Sequence, residues 1–254
     1  MSVRVAGQIL RKGIAVAGFA LLLSLSAQAQ APLHIHLISG SDEYKSEASL
    51  KAYRQHLEST YDVTITASWV HDGVEALPGI EHIPEADLLL VFARRMQLPE
   101  GQMDVIRRHW MQGKPIVGIR TASHAFRRST NQVFDHEVLG GNYQGHFDDL
   151  PAQVQNATDD HPVLDGVQPF TSRKLYKAGA LAPGATVLQT GTTETDDGEH
   201  THPVTWIHQY EGGRTVYTSL GVPEDFEHPS FRRLLTNAIF WAAEHERPAS
   251  QGGS

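Results

Sequence analysis

KPIVGIRTASHAF, residues 114–126, decides how this chain is read. Residues 115–119 form a short apolar run that reads as a buried strand. Arg120, Thr121, Ser123 and His124 then arrive within five residues, where that strand must stop. In an open α/β sheet, ligands sit in the crevice beyond the carboxyl ends of the strands. The stretch therefore places both a central strand and a candidate site.

Upstream, residues 33–38 (LHIHLI) alternate as a strand does, and residues 39–44 (SGSDEY) form a polar loop. Ser46 reads as an N-cap, and residues 49–57 carry Leu50, Tyr53 and Leu57 at helical spacing. Residues 63–70 alternate again. Residues 87–92 (DLLLVF) are the continuous apolar run of a central parallel strand, with Arg94 and Arg95 at its end. A helix is expected from Pro99 to Met111, closed by Gly113. Four strand–helix alternations predict an α/β fold with a mostly parallel, doubly wound sheet. Right-handed crossovers would bring residues 39–44, Arg94, Arg95 and residues 120–124 to one edge.

Downstream, residues 134–147 (FDHEVLGGNYQGHF) have no clear period and are expected to loop over the site. Residues 152–156, 174–177, 186–189, 204–210 and 215–219 read as further strands, and residues 192–202 as a polar hairpin tip or loop. Residues 231–244 have the apolar spacing of a closing helix.

Residues 1–29 read as a signal peptide. Arg4, Arg11 and Lys12 form a basic head, an apolar run follows, and Ala27-Gln28-Ala29 fits a small-x-small cleavage pattern. Cleavage after Ala29 implies a secreted or periplasmic protein. The expected organisation is then one domain over residues 30–246 and a disordered tail at 247–254. The whole chain carries a net charge of −8, and losing the three leader cations makes it −11. That balance argues against nucleic acid, whose phosphates need a basic face, and against an anionic membrane after leader removal. The chain has no cysteine, so a thiol nucleophile, a disulfide and a Cys-ligated zinc are all excluded.

The chain resembles the trehalose-utilisation (ThuA-like) family of the class I glutamine amidotransferase-like superfamily. The resemblance rests on SGSDEYKSE, ADLLLVFARR, GKPIVGIRTASHAF, LGGNYQGH, DDHPVLDG and GRTVYTSLGVPEDF, with NAIFWA near the end, all in family order. It implies a flavodoxin-like three-layer sandwich and a carbohydrate context. Two departures stand out. The superfamily's amidotransferases place a Cys directly after the GI of the central strand, where this chain has Arg120, so thiolate-driven glutamine hydrolysis is excluded. Many relatives have a His after the Gly of the late LG motif, where this chain has Val222.

His124 is the first catalytic candidate, placed on the first turn of a following helix whose N-terminus would favour neutral imidazole. Arg120, Glu43 and Asp42 complete the catalytic set. Arg94, Arg95 and Arg120 suit carboxylates, phosphates or sugar diols, although Arg120 could instead pair internally with Asp42, Glu43 or Glu47. Tyr44, Thr121, Ser123, Tyr143, His146 and Asp225 are the other expected substrate contacts. Ser123 beside His124 is a poor nucleophile pair if the two lie on a helix, because neighbours there face apart. Zinc is the cofactor alternative, on His124 with His146, His136 or His161 and a carboxylate. The expected partners are a small carbohydrate and, left open, a second copy of the chain. Two functions compete: an enzyme acting on a sugar or oxidised sugar, and a non-catalytic carbohydrate-binding or accessory protein.

Overall fold

Residues 31–158 and 160–246 are described in the computed structural model; the leader and tail read from the sequence lie outside them. In chain order the strands are β1 (Leu33–Gly40), β2 (Val63–Trp69), β3 (Leu88–Ala93), β4 (Ile116–Ile119), β5 (Tyr143–His146), β6 (Pro151–Asn156), β7 (Phe170–Arg173), β8 (Tyr176–Ala178), β9 (Thr186–Thr195), β10 (Gly198–Tyr210) and β11 (Gly213–Thr218). The α-helices are α1 (Ser46–Thr60), α2 (Glu100–Met111), α3 (Arg128–Gln132) and α4 (Pro229–Ala242).

Nine strands make one sheet in the order β2-β1-β3-β4-β11-β10-β9-β6-β7, and β5 and β8 pair separately. The first five are joined by parallel ladders, such as Leu33 opposite Val63 and Thr215 opposite Ile116. This is the 2-1-3-4-5 order of a flavodoxin-like sheet, with β11 as the fifth strand. From β11 outward every pairing is antiparallel.

The layering follows from strand alternation. All of β3 is buried, but its side chains divide by parity. Leu88, Leu90 and Phe92 join the core that holds Leu50, Tyr53 and Leu57 of α1 and Leu234, Leu235 and Ile239 of α4. Leu89, Val91 and Ala93 join the opposite core with Met103, Ile106 and Trp110 of α2. Helices therefore cover both faces, which makes the three-layer sandwich.

Some local expectations are corrected. The connection from β2 to β3 is not an α-helix but a 3-10 segment, Ile80–Glu85, with Pro84 inside it. Pro78, Gly79 and Pro84 crowd this stretch, and proline both lacks a donor and clashes with the preceding turn. Ser46 is the first residue of α1 rather than its cap, which is Lys45 in the left-handed region. The Ser46 hydroxyl instead accepts the Ser41 N–H at 2.9 Å and bonds the Ser39 hydroxyl at 2.9 Å, tying the helix start to the end of β1. The aperiodic segment at 134–147 contains a π-helical turn, Val133–Val138, before β5. Strand β7 had no clear signal in the sequence.

Candidate functional site

Parallel strands β1, β3, β4 and β11 end on the same edge, and the loops leaving them build the site. The chain turns sharply at Arg120, directly after β4, where φ is +47°. A non-glycine residue held there stores strain of about 1–3 kcal/mol, sustained only by surrounding contacts. Those contacts are visible. The Tyr217 hydroxyl donates to the Arg120 carbonyl at 2.7 Å. The Arg120 side chain, 1% exposed, donates from Nη1 to the Ser219 carbonyl at 2.6 Å and from Nη2 to the Lys174 carbonyl at 3.0 Å. Its guanidinium lies between two rings, 4.1 Å from Tyr44 and 4.5 Å from Tyr176. Burial opposes its charge, but Tyr176, Tyr44 and Asp225 outweigh that and hold its pKa above the ordinary value. Neither of the expected placements appears. Arg120 is beneath the edge, and its hydrogen bonds go to carbonyls rather than to Asp42, Glu43 or Glu47. The elbow that carries a thiol in amidotransferases here carries a cation caged by two tyrosines.

Residues Arg120–His124 form a 3-10 turn, and α3 starts four residues after His124. His124 therefore ends this turn instead of opening a helix. The tighter turn also alters its relation to Ser123. Their side chains meet, Ser123 Oγ to His124 Nδ1 at 3.1 Å, although neighbours on an α-helix would not. The Ser123 hydroxyl donates to the Arg120 carbonyl at 3.2 Å. It then accepts from Nδ1–H, which leaves Nε2 of His124 as the lone-pair nitrogen. Nε2 makes no hydrogen bond among the described residues. The imidazole stacks on Tyr143, with centroids 4.6 Å apart and planes at 24°. Burial, then the nearby charges of Arg94 and Arg95, push its pKa down to about 3. The ring is neutral as expected, but for these reasons and not because of a helix terminus.

Tyr143 is delivered by the π-helical turn. The buried Asp135 accepts the Tyr143 N–H through Oδ2 at 3.0 Å, and its carbonyl accepts the Gly141 N–H at 2.7 Å. Burial raises the Asp135 carboxyl to about 6. The segment read as a loop over the site thus lays one aromatic ring against His124.

Beside this pair runs an ion network. Arg94 Nη1 meets Asp72 Oδ2 at 2.7 Å, and Arg94 Nη2 lies 3.5 Å from Glu43 Oε2. Lys174 Nζ is 2.5 Å from Glu43 Oε1. Burial would raise the Glu43 carboxyl, yet Lys174 and Arg94 hold it below the usual range. Asp42 and Asp72 brace each other, each carboxylate accepting the other's backbone N–H at 3.2 Å. Asp72, Lys174 and Tyr176 are site residues that sequence reasoning missed. Asp72 lies in the connection after β2, to which the sequence reading assigned no element. Lys174 and Tyr176 lie far along the chain from the loops they meet, so no local spacing points to them.

The remaining candidates divide by depth. Arg95 is exposed and Tyr143 is half-buried. Tyr44, Thr121 and Ser123 are buried, at 4%, 0% and 2% exposure. Asp225 is buried under the LGV turn. Its Oδ2 accepts from the Gly221 N–H at 2.7 Å, the Val222 N–H at 3.1 Å and the Ser172 hydroxyl at 2.9 Å. Asp225 therefore holds a backbone turn, and Val222 joins the core. His146 is exposed and touches the far ring of Tyr176, at 6.3 Å. The zinc constellation is not assembled, because no group of three His, Cys, Asp or Glu among the described residues is placed to hold a metal ion.

The parallel core and the helices on both of its faces place the chain among flavodoxin-like α/β proteins. The trehalose-utilisation family model, ThuA, matches residues 37–242, and the protein belongs to that family. A ThuA-like protein of Bacteroides uniformis superposes with a TM-score of 0.62 at 15% identity, over 86% of this chain and 94% of that one. A ThuA-like protein of Parabacteroides merdae gives 0.62 at 18% identity, over 84% and 90%. A structure described as a novel carbohydrate deacetylase gives 0.57 at 11% identity, over 84% of this chain and 33% of that one. No curated protein sequence matches.

Proposed function

We propose that this chain is exported, binds a small carbohydrate or oxidised sugar derivative at the carboxyl ends of β1, β3 and β4, and acts on it through His124. The observation that carries the reading is the His124 imidazole, 3.1 Å from the Ser123 hydroxyl through Nδ1, stacked on Tyr143, and with Nε2 making no hydrogen bond among the described residues. A neutral imidazole in that pose accepts a proton or a hydrogen bond from a hydroxyl, and an aromatic ring beside it suits the apolar face of a sugar. The carbohydrate setting is supported by the family's description as trehalose utilisation and by the printed name of the deacetylase neighbour.

The second reading, a non-catalytic binder on the same fold, is favoured by one observation. An imidazole whose pKa is pushed to about 3 is a weak base. The two are separated with the mature chain, from Gln30 onward. Trehalose, glucose and their oxidised derivatives are screened by thermal shift, where a ligand at 100 times its Kd adds roughly 2.7 kcal/mol of stability. Ligands that bind are then followed for product by mass spectrometry. The expected outcome is binding with turnover, and His124→Asn keeps the fold but loses turnover. Binding without product in the wild type supports the binder. A His124→Asn variant that binds and turns over like wild type places the site elsewhere. Amino-terminal sequencing of protein from the cell envelope or medium checks export, with Gln30 as the expected first residue.

A further inference from the structure

The charges at the strand edge are unevenly matched. Glu43 is occupied by Lys174 and Arg94, and Asp72 by Arg94. Asp42 faces Asp72 across the loops that follow β1 and β2. Arg94, at the end of β3, and Lys174 thus take up Glu43 and Asp72, and Asp42 is held through backbone N–H bonds with Asp72. The next residue differs. Arg95 is exposed and sits in the left-handed region at φ +54°, with its N–H donating to the His124 carbonyl at 2.9 Å. Its guanidinium makes no ion pair or hydrogen bond among the described residues. The charges of Arg94 and Arg95 both reach the His124 imidazole. A positive group without an acid partner, beside a neutral histidine, contrasts with a chain whose net charge is −8.

We infer that the ligand of this site is a sugar acid, whose carboxylate is taken by the Arg95 guanidinium next to His124. This rests on the carbohydrate reading above. A guanidinium fork matches a carboxylate with two parallel hydrogen bonds. A monoanion answers the exposed Arg95 guanidinium, which has no acid partner among the described residues, whereas a dianionic phosphate would leave excess negative charge facing Glu43. Binding would also act on the chemistry. A carboxylate on Arg95 would offset one of the charges that lower the His124 pKa, after burial and Arg94.

The test is calorimetric titration of the mature chain with D-glucuronate, D-galacturonate and D-gluconate. D-glucose, D-galactose, trehalose and D-glucose 6-phosphate are the comparison ligands, and wild type is run beside Arg95→Gln at low and high salt. The acids are expected to bind at least about tenfold more tightly than their neutral parents, with the preference weakened by salt. Arg95→Gln should abolish that preference while keeping the ligand-free melting midpoint, because the side chain is exposed. Neutral parents binding as tightly as the acids overturn the inference and leave the carbohydrate reading standing. The same follows if the preference survives Arg95→Gln, or if the sugar phosphate binds best. Binding by no member of the panel also overturns the inference, and the carbohydrate reading then rests on the wider thermal-shift screen above.

Discussion

Arg120 illustrates how the sequence can place a side chain whose contacts only the folded chain reveals. Its position after β4 follows from the apolar run before it, yet its work is internal. The guanidinium joins Ser219 and Lys174 through their carbonyls and fills the space between Tyr44 and Tyr176. Arg120→Ala removes that packing and leaves two buried carbonyls without donors. It is expected to cost about 3 kcal/mol in urea unfolding, with Arg120→Lys intermediate because an ammonium lacks the planar fork. An unchanged midpoint for Arg120→Ala would refute the structural role. The place of His124 at the strand edge was legible from the apolar run before it. Its Ser123 contact was not, because it depends on a 3-10 turn where the sequence suggested an α-helix. Asp72, Lys174 and Tyr176 were invisible for another reason. Each reaches the site through tertiary packing, and no spacing within one element encodes that.

At the scale of elements, the parallel strands were readable because burial on both faces forces continuous apolar runs. DLLLVF and PIVGI have little other use. The β2–β3 connection was not, since two prolines and a glycine break a stretch that α/β alternation would otherwise make helical. The turn after β11 shows what holds such an edge together. Gly221 adopts φ +123°, and a Cβ there would fall 2.7 Å from Cγ2 of Ile119, the residue preceding Arg120. Its N–H is fixed by Asp225. Gly221→Ala is therefore expected to destabilise by about 1–3 kcal/mol and to disturb the elbow as well as the turn. Denaturant midpoints together with ligand affinity check this. A loss of stability with affinity intact would show that the turn and the elbow are uncoupled.

Across the whole molecule, buried histidines set the response to acid. His36, bonded to Thr66 and Ser68, and His109 are pushed down to about 4 mainly by burial, and His124 to about 3. Unfolded, each would bind a proton near pH 6.5. The native state thus holds fewer protons between those limits. Their stability contribution is present above pH 6.5 and is lost as pH falls through about 4. Asp135 runs the other way, since its folded pKa is raised to about 6 and its contribution is lost as pH rises through that value. Asp225 is raised by burial too, while His56, His161 and His208 are lowered like the three above. The histidines outweigh the two acids, so urea midpoints should fall between about pH 7 and pH 5, each histidine contributing at most roughly 1.4 kcal/mol per pH unit. A midpoint that holds or rises at about pH 5 contradicts this balance.

The parallel core is also discontinuous along the chain. β4 ends at Ile119, yet its neighbour β11 begins at Gly213, and the whole antiparallel half is made in between. During synthesis, β1 to β4 emerge long before the strand that seals their open side. Until β11 arrives, Val117 and Ile119 lie on an unpaired edge, and neither the Ser219 carbonyl nor the Tyr217 hydroxyl is there to hold Arg120. Such late, long-range closure slows folding and leaves a sticky intermediate. A nascent chain stopped before β11 would therefore present a half-built sheet, a natural substrate for a chaperone that shields strand edges.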